Sequence, residues 1–159
     1  MISTILKGNL FYYAAPVLPD IPGHTFCGIS EPISSPQSIR TQAKHASRAL
    51  IVSHIRGKSK THFRNIGLYN TVLAIEDPEV FDQMEQLLSP LEEPPLRQTL
   101  RCWLEHDGSI QKVAEELFLH RNTVNYRIQK IRSLVSMDTA IQKTRLLLAF
   151  YMNDVRPYL

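Results

Sequence analysis

Three prolines fall within seven residues in the stretch "SPLEEPP", 89–95. Proline has no backbone N–H and a fixed φ, so this density can continue neither a helix nor a central strand. The stretch therefore divides the chain, whose 159 residues suffice for one domain or two small ones. Before it, short apolar runs alternate with proline-rich connections. After it, the apolar spacing is helical throughout. The reading is an α+β chain, mostly α. Residues 1–88 form a small α/β segment, 89–95 a linker, and 96–159 a helical bundle.

Within the first part, the apolar-aromatic run in "NLFYYAAPVLPDIPGHTF" reads as a strand, followed by a connection carrying Pro16, Pro19 and Pro22. "FCGIS" reads as a second strand and "THFRNIG" as a third. Between them, 36–55 is helical: Ile39, Ala43, Ala46, Ala49 or Leu50, and Val52 fall near one face, and Pro36 suits a first turn. Residues 68–74 read as a short helix or turn. Asp77 opens a helix with the stripe Val80, Phe81, Met84, Leu87 and Leu88.

In the second part, Leu96, Leu100, Trp103 and Leu104 follow helical spacing, with Gly108 as the stop. Ser109 caps a short helix built on Ile110, Val113, Ala114, Leu117 and Phe118. The last helix runs over 138–155, with Asp138 as its cap and Pro157 beyond its end.

Between these lies "LHRNTVNYRIQKIRSL", 119–134. It holds Arg121, Arg127, Lys130 and Arg132 and no acidic residue. At 100° per residue, Val124, Ile128, Ile131 and Val135 share a narrow arc, which is the buried side. Asn122, Tyr126, Gln129 and Ser133 point the opposite way. Thr123, Asn125, Lys130 and Arg132 flank them, with Arg121 and Arg127 nearer the core edge. The outer face thus carries amides, a hydroxyl, a phenol and cations, the groups that donate to phosphates and read base edges. A short amphipathic helix, a tight turn at 118–120 and a basic second helix form a helix-turn-helix, with 120–132 as the helix for the DNA major groove. The reading requires Asn122, Tyr126 and Gln129 to be exposed. Glu115 and Glu116 are expected to lie away from the groove face. A helical module whose basic helix binds an acidic protein is the alternative.

A net charge of +3 permits nucleic-acid binding only if the positive charge is concentrated. Cys27 and Cys102 are too far apart in sequence for a disulfide framework, and the His24–Cys27 spacing lacks a second ligand pair, so neither metal nor cofactor is expected. "RGKS" lacks the distal glycine of a phosphate loop, Val52 occupying that place. The six histidines accompany no nucleophile motif, and the acid pairs Glu92/Glu93 and Glu115/Glu116 make no acid–base couple, so no enzyme is read. "MISTILKG" lacks a signal-peptide layout, and the longest apolar run is too short for a membrane span. The expectation is a reduced, soluble, cytoplasmic protein.

"TLRCWLEHDGSIQKVAEELFLHRNTVNYRIQKI" resembles the C-terminal helix-turn-helix of the PucR/CdaR family of bacterial transcription regulators, most specifically in the string H-R-N-T-V-x-Y-R-I-x-K-I. The helical pair is also similar to that of Fis-type DNA-binding proteins. These resemblances imply base contact by Arg121, phosphate contact by Thr123, and DNA-facing positions for Asn125 and Tyr126; the reading of 120–132 as the groove helix adds His120, Asn122 and Gln129 as candidate DNA-binding residues. They imply backbone-contact positions for Ser109 and Gln111, and phosphate or structural roles for Arg127 and Lys130. "FCGISEPISSPQSIRTQAKHASRAL" and "FRNIGLYNTVLA" resemble the end of the α/β effector domain that precedes this helix-turn-helix, a degenerate relative of the diguanylate-cyclase fold. No G-G-D-E-F-like string appears. The resemblance implies a regulator that binds double-stranded DNA, with a small metabolite as a candidate effector; because one small helix-turn-helix makes few phosphate contacts, a homodimer or higher homo-oligomer is expected.

Overall fold

The computed structural model describes residues 2–5, 11–14 and 25–159. The prolines 16, 19 and 22 and His24 lie outside them. The chain divides into two compact units, Met1–Asn70 and Thr71–Leu159.

In the first unit, β1 (Ile2–Ile5) pairs antiparallel with β2 (Phe11–Ala14), Ile2 opposite Ala14 and Ile5 opposite Phe11. The sequence pattern anticipates β2 and not β1. A separate parallel pair joins β3 (Cys27–Ile29), through α1 (Ile39–Arg56), to β4 (Lys60–His62). A parallel pair needs a crossover, and α1 is that crossover. Gly28 permits its close packing: a Cβ there would stand 2.0 Å from the Ala46 carbonyl oxygen and 2.2 Å from the Leu50 nitrogen. Buried Ser53 ties the three elements together. It donates to the Cys27 carbonyl at 3.0 Å, and its hydroxyl lies 2.9 Å from that of Thr61. The strand read over 61–67 is shorter and earlier than expected. It ends at His62, where a 3-10 turn, Phe63–Asn65, takes over. The short helix α2 (Tyr69–Val72) follows.

The second unit holds α3 (Pro78–Leu88), α4 (Pro94–Glu105), α5 (Ile110–Glu116), α6 (Arg121–Leu134) and α7 (Ala140–Val155). Asp77 caps α3 by accepting from the Glu79 N–H at 2.9 Å. One core runs through the unit: Leu88 and Leu91 pack with Leu100, Trp103, Val113, Val124, Ile128, Ile131, Leu146 and Phe150. The sequence places a linker at 89–95, whereas the compact units divide after Asn70 and α3 packs on α7. The physical reason lies in two residues. Leu91, within "SPLEEPP", is fully buried. Arg97 donates to the Leu91 carbonyl at 2.7 Å and the Leu88 carbonyl at 3.1 Å, satisfying acceptors at and just beyond the end of α3.

Arg101 forms a fork on Asp154 with two 2.8 Å bonds, joining α4 to α7. Arg156 reaches Asp82 and Glu85 of α3. Thr139, not Asp138, caps α7. Its hydroxyl accepts from the Gln142 N–H at 3.2 Å while the Gln142 side chain returns to the Thr139 N–H, a capping box that the sequence pattern "DTAIQ" carries one residue later than expected. No helix among the described residues is long and apolar enough to cross a membrane.

Candidate nucleic-acid interface

The α5–turn–α6 unit is set by its caps. Ser109 accepts from the Lys112 N–H at 3.4 Å and opens α5. The preceding helix closes in a Schellman motif: Gly108 N–H donates to the Trp103 carbonyl at 2.8 Å and Asp107 N–H to the Leu104 carbonyl at 3.4 Å. Asp107 carries the left-handed φ of +51° that the motif requires. Gly108, the anticipated stop, follows with φ +83°, and a Cβ on it would stand 3.0 Å from the Trp103 ring. The same motif closes α5. Leu119 N–H donates to the Ala114 carbonyl at 2.9 Å, Phe118 N–H to the Glu115 carbonyl at 3.4 Å, and Phe118 is left-handed at φ +54°. His120 then caps α6, its Nδ1 accepting from the Asn122 N–H at 3.2 Å.

This turn directs α6 so that one side is sealed and the other is bare. Val124, Ile128 and Ile131 are at most 5% exposed. Arg121, Asn122, Thr123, Asn125, Tyr126, Gln129, Arg132 and Ser133 are exposed. The condition on Asn122, Tyr126 and Gln129 is met. Arg121, Asn122 and Asn125 line an open concavity together with Gln111, Glu115 and Phe118 of α5 and the turn. Six of the sequence-derived positions, Arg121, Asn122, Thr123, Asn125, Tyr126 and Gln129, therefore share one exposed helix face. Gln111 lines the α5 wall, where its amide donates to Glu115 at 3.0 Å. Glu115 belongs to that wall, contrary to the expectation that it lies away from the groove face. The cause is that one turn of α5 separates it from Gln111.

Two of the four cations point elsewhere. Half-buried Arg127 donates to the Thr99 hydroxyl at 3.2 Å, and Thr99 donates to the Pro95 carbonyl at 2.7 Å. Lys130 pairs with Glu93, the residue preceding α4, at 2.5 Å. The hydrogen bond to that carboxylate holds the Lys130 ammonium above its usual range. Both contacts span 28 residues or more of sequence, so no local pattern signals them. Ser109 and His120 are likewise engaged as caps.

An amphipathic helix closed by a left-handed residue, followed at once by a capped helix with an amide- and arginine-bearing outer face, defines a helix-turn-helix domain. Residues 96–153 match the PucR C-terminal helix-turn-helix domain. The proline-responsive transcriptional activator PutR of Bacillus subtilis is 27% identical over 135 residues, 79% of this chain and 33% of that protein. The carbohydrate diacid regulator of Escherichia coli is 40% identical over 53 residues, 33% of this chain and 14% of that protein. An uncharacterised protein of Thermomonospora curvata is 40% identical over 58 residues, 36% of this chain and 32% of that protein. The chain thus spans a third or less of the length of these curated relatives. The two relatives with assigned roles are a transcriptional activator and a regulator.

Proposed function

We propose that this chain is a sequence-specific DNA-binding transcription regulator of the PucR/CdaR type, whose residues 120–132 enter the DNA major groove. The observation that carries the reading is the acid-free outer face of α6, on which Arg121, Asn122, Thr123, Asn125, Tyr126 and Gln129 are all exposed while the opposite side is buried. Arg121 reads a base edge, Asn122, Asn125 and Gln129 offer amides to bases or phosphates, and Thr123 donates to phosphate. Ser109 and Gln111 stand at the start of α5, where free N–H groups face a phosphate. Arg127 and Lys130 act mainly as structural cations, since each holds α6 against the start of α4. The named roles of PutR and the diacid regulator support the same class.

One helix-turn-helix neutralises few phosphates, so two copies on half-sites about 34–36 Å apart, or a multiple of that, make the binding unit. Residues 1–88 serve association or the sensing of a small metabolite, and the protein works in the cytoplasm.

The test is selection of bound duplexes from a random pool with the full chain, followed by titration at several salt concentrations. A consensus should emerge, with affinity falling steeply as salt rises. Arg121→Ala should cost roughly 1–3 kcal/mol at one base position. No consensus, together with tight binding of an acidic protein, would overturn the reading in favour of a protein-interaction module.

A further inference from the structure

The ends of α4 and α5 bring together three side chains that the DNA-facing surface does not use. Cys102 and His106 stand one helical turn apart, Cys102 within α4 and His106 at its C-cap. Glu116 is the last residue of α5. The Cys102 Sγ, an imidazole nitrogen of His106 and a Glu116 carboxylate oxygen all lie within 4.8 Å of one another. His106 Nε2 and Glu116 Oε2 are 2.6 Å apart. Cys102 is 3% exposed, His106 is half-buried and Glu116 is exposed, so the three donors run from core to solvent and leave an open side.

We propose that Cys102, His106 and Glu116 bind a single Zn²⁺ ion, with water in the fourth position. Thiolate, imidazole and carboxylate are the donors that this borderline-soft cation accepts together, in tetrahedral geometry. Metal–ligand bonds of about 2.0–2.3 Å place neighbouring donors roughly 3.2–3.8 Å apart. The neighbouring carboxylate Glu105 is not counted as a ligand, because Arg101 already holds it at 3.2 Å.

Binding releases the thiol proton to solvent and leaves the thiolate as ligand, with a neutral imidazole beside it. Glu116 and His106 exchange their mutual hydrogen bond for bonds to the metal. The ion would then tie the end of α4 to the end of α5, beside the turn that aims α6. The two helices could still move as one body, so the direct consequence is stability of the helix-turn-helix.

The test uses the full chain after chelator treatment, titrated with Co²⁺ and then Zn²⁺. One equivalent of Co²⁺ should bring a thiolate-to-cobalt charge-transfer band and the visible absorption of a tetrahedral ion. Zn²⁺ should displace it and raise the melting temperature. Cys102→Ser should abolish the charge-transfer band and Cys27→Ser should leave it. Glu116→Gln alters an exposed residue and keeps the fold. It should weaken Co²⁺ binding by roughly ten-fold or more, since even outer-shell partners are worth about that much. Absence of the band in the unaltered chain, its survival in Cys102→Ser, or unchanged Co²⁺ affinity in Glu116→Gln would overturn the proposal.

Discussion

At the scale of single residues, Phe118 carries the turn before α6 in a conformation that costs an L-residue roughly 1–2 kcal/mol. Its ring is 95% exposed, so little burial offsets that cost. Glycine adopts the same φ without penalty, though it loses more freedom on folding. Phe118→Gly should therefore raise stability by about 1 kcal/mol in urea unfolding, and a loss would reveal packing that the exposure denies. Cys102 makes a second expectation. Its thiol sits near 11 in the folded chain against an ordinary 9.0, mainly through burial. The folded value is raised, so the contribution is complete below pH 9 and is lost as pH climbs through 11. The difference is worth roughly 2–3 kcal/mol. In chelator, the stability gap between the native chain and Cys102→Ala should shrink over that window. A constant gap would count against the raised thiol. Half-buried Cys27 is raised as well, which is why the comparison must be made between these two chains.

Among the elements, Arg97 converts a proline-rich stretch into a docked one. Its fork on the Leu88 and Leu91 carbonyls joins the end of α3 to the start of α4. Arg97→Ala should destabilise the chain by roughly 1.5–3 kcal/mol, the range for hydrogen bonds to a charged donor. Limited proteolysis should then cut within 89–93. Unchanged protease resistance would show that buried Leu91 alone holds the segment. Arg127 tests how the labour of α6 is divided. Arg127→Ala should lower the urea midpoint while leaving the salt dependence of DNA binding nearly unchanged, because its guanidinium is turned toward Thr99. Arg121→Ala should do the reverse. The helices themselves were readable from their 3.6-residue spacing, and so was the outer face of α6. The cap of α7 was displaced by one residue because Asp138 and Thr139 are adjacent candidates, and the reciprocal bond to Gln142 selects the second. The shortening of the strand at His62 had no sequence signal.

For the molecule as a whole, the PucR-type domain and the α/β segment were legible from the change of period at the prolines and from the string "HRNTVNYRIQKI". Periodicity is a property of neighbouring residues, and it alone determined which side of α6 faces the core. What joins α6 to the start of α4, and α3 to the C-terminal core, could only be decided in three dimensions. Thr99–Arg127 and Glu93–Lys130 are hydrogen bonds between residues 28 and 37 positions apart. The assembly of Cys102, His106 and Glu116 arises in the same way, from two helices folded against each other. Contacts of this kind depend on where distant segments cross, and one-dimensional spacing carries no record of a crossing.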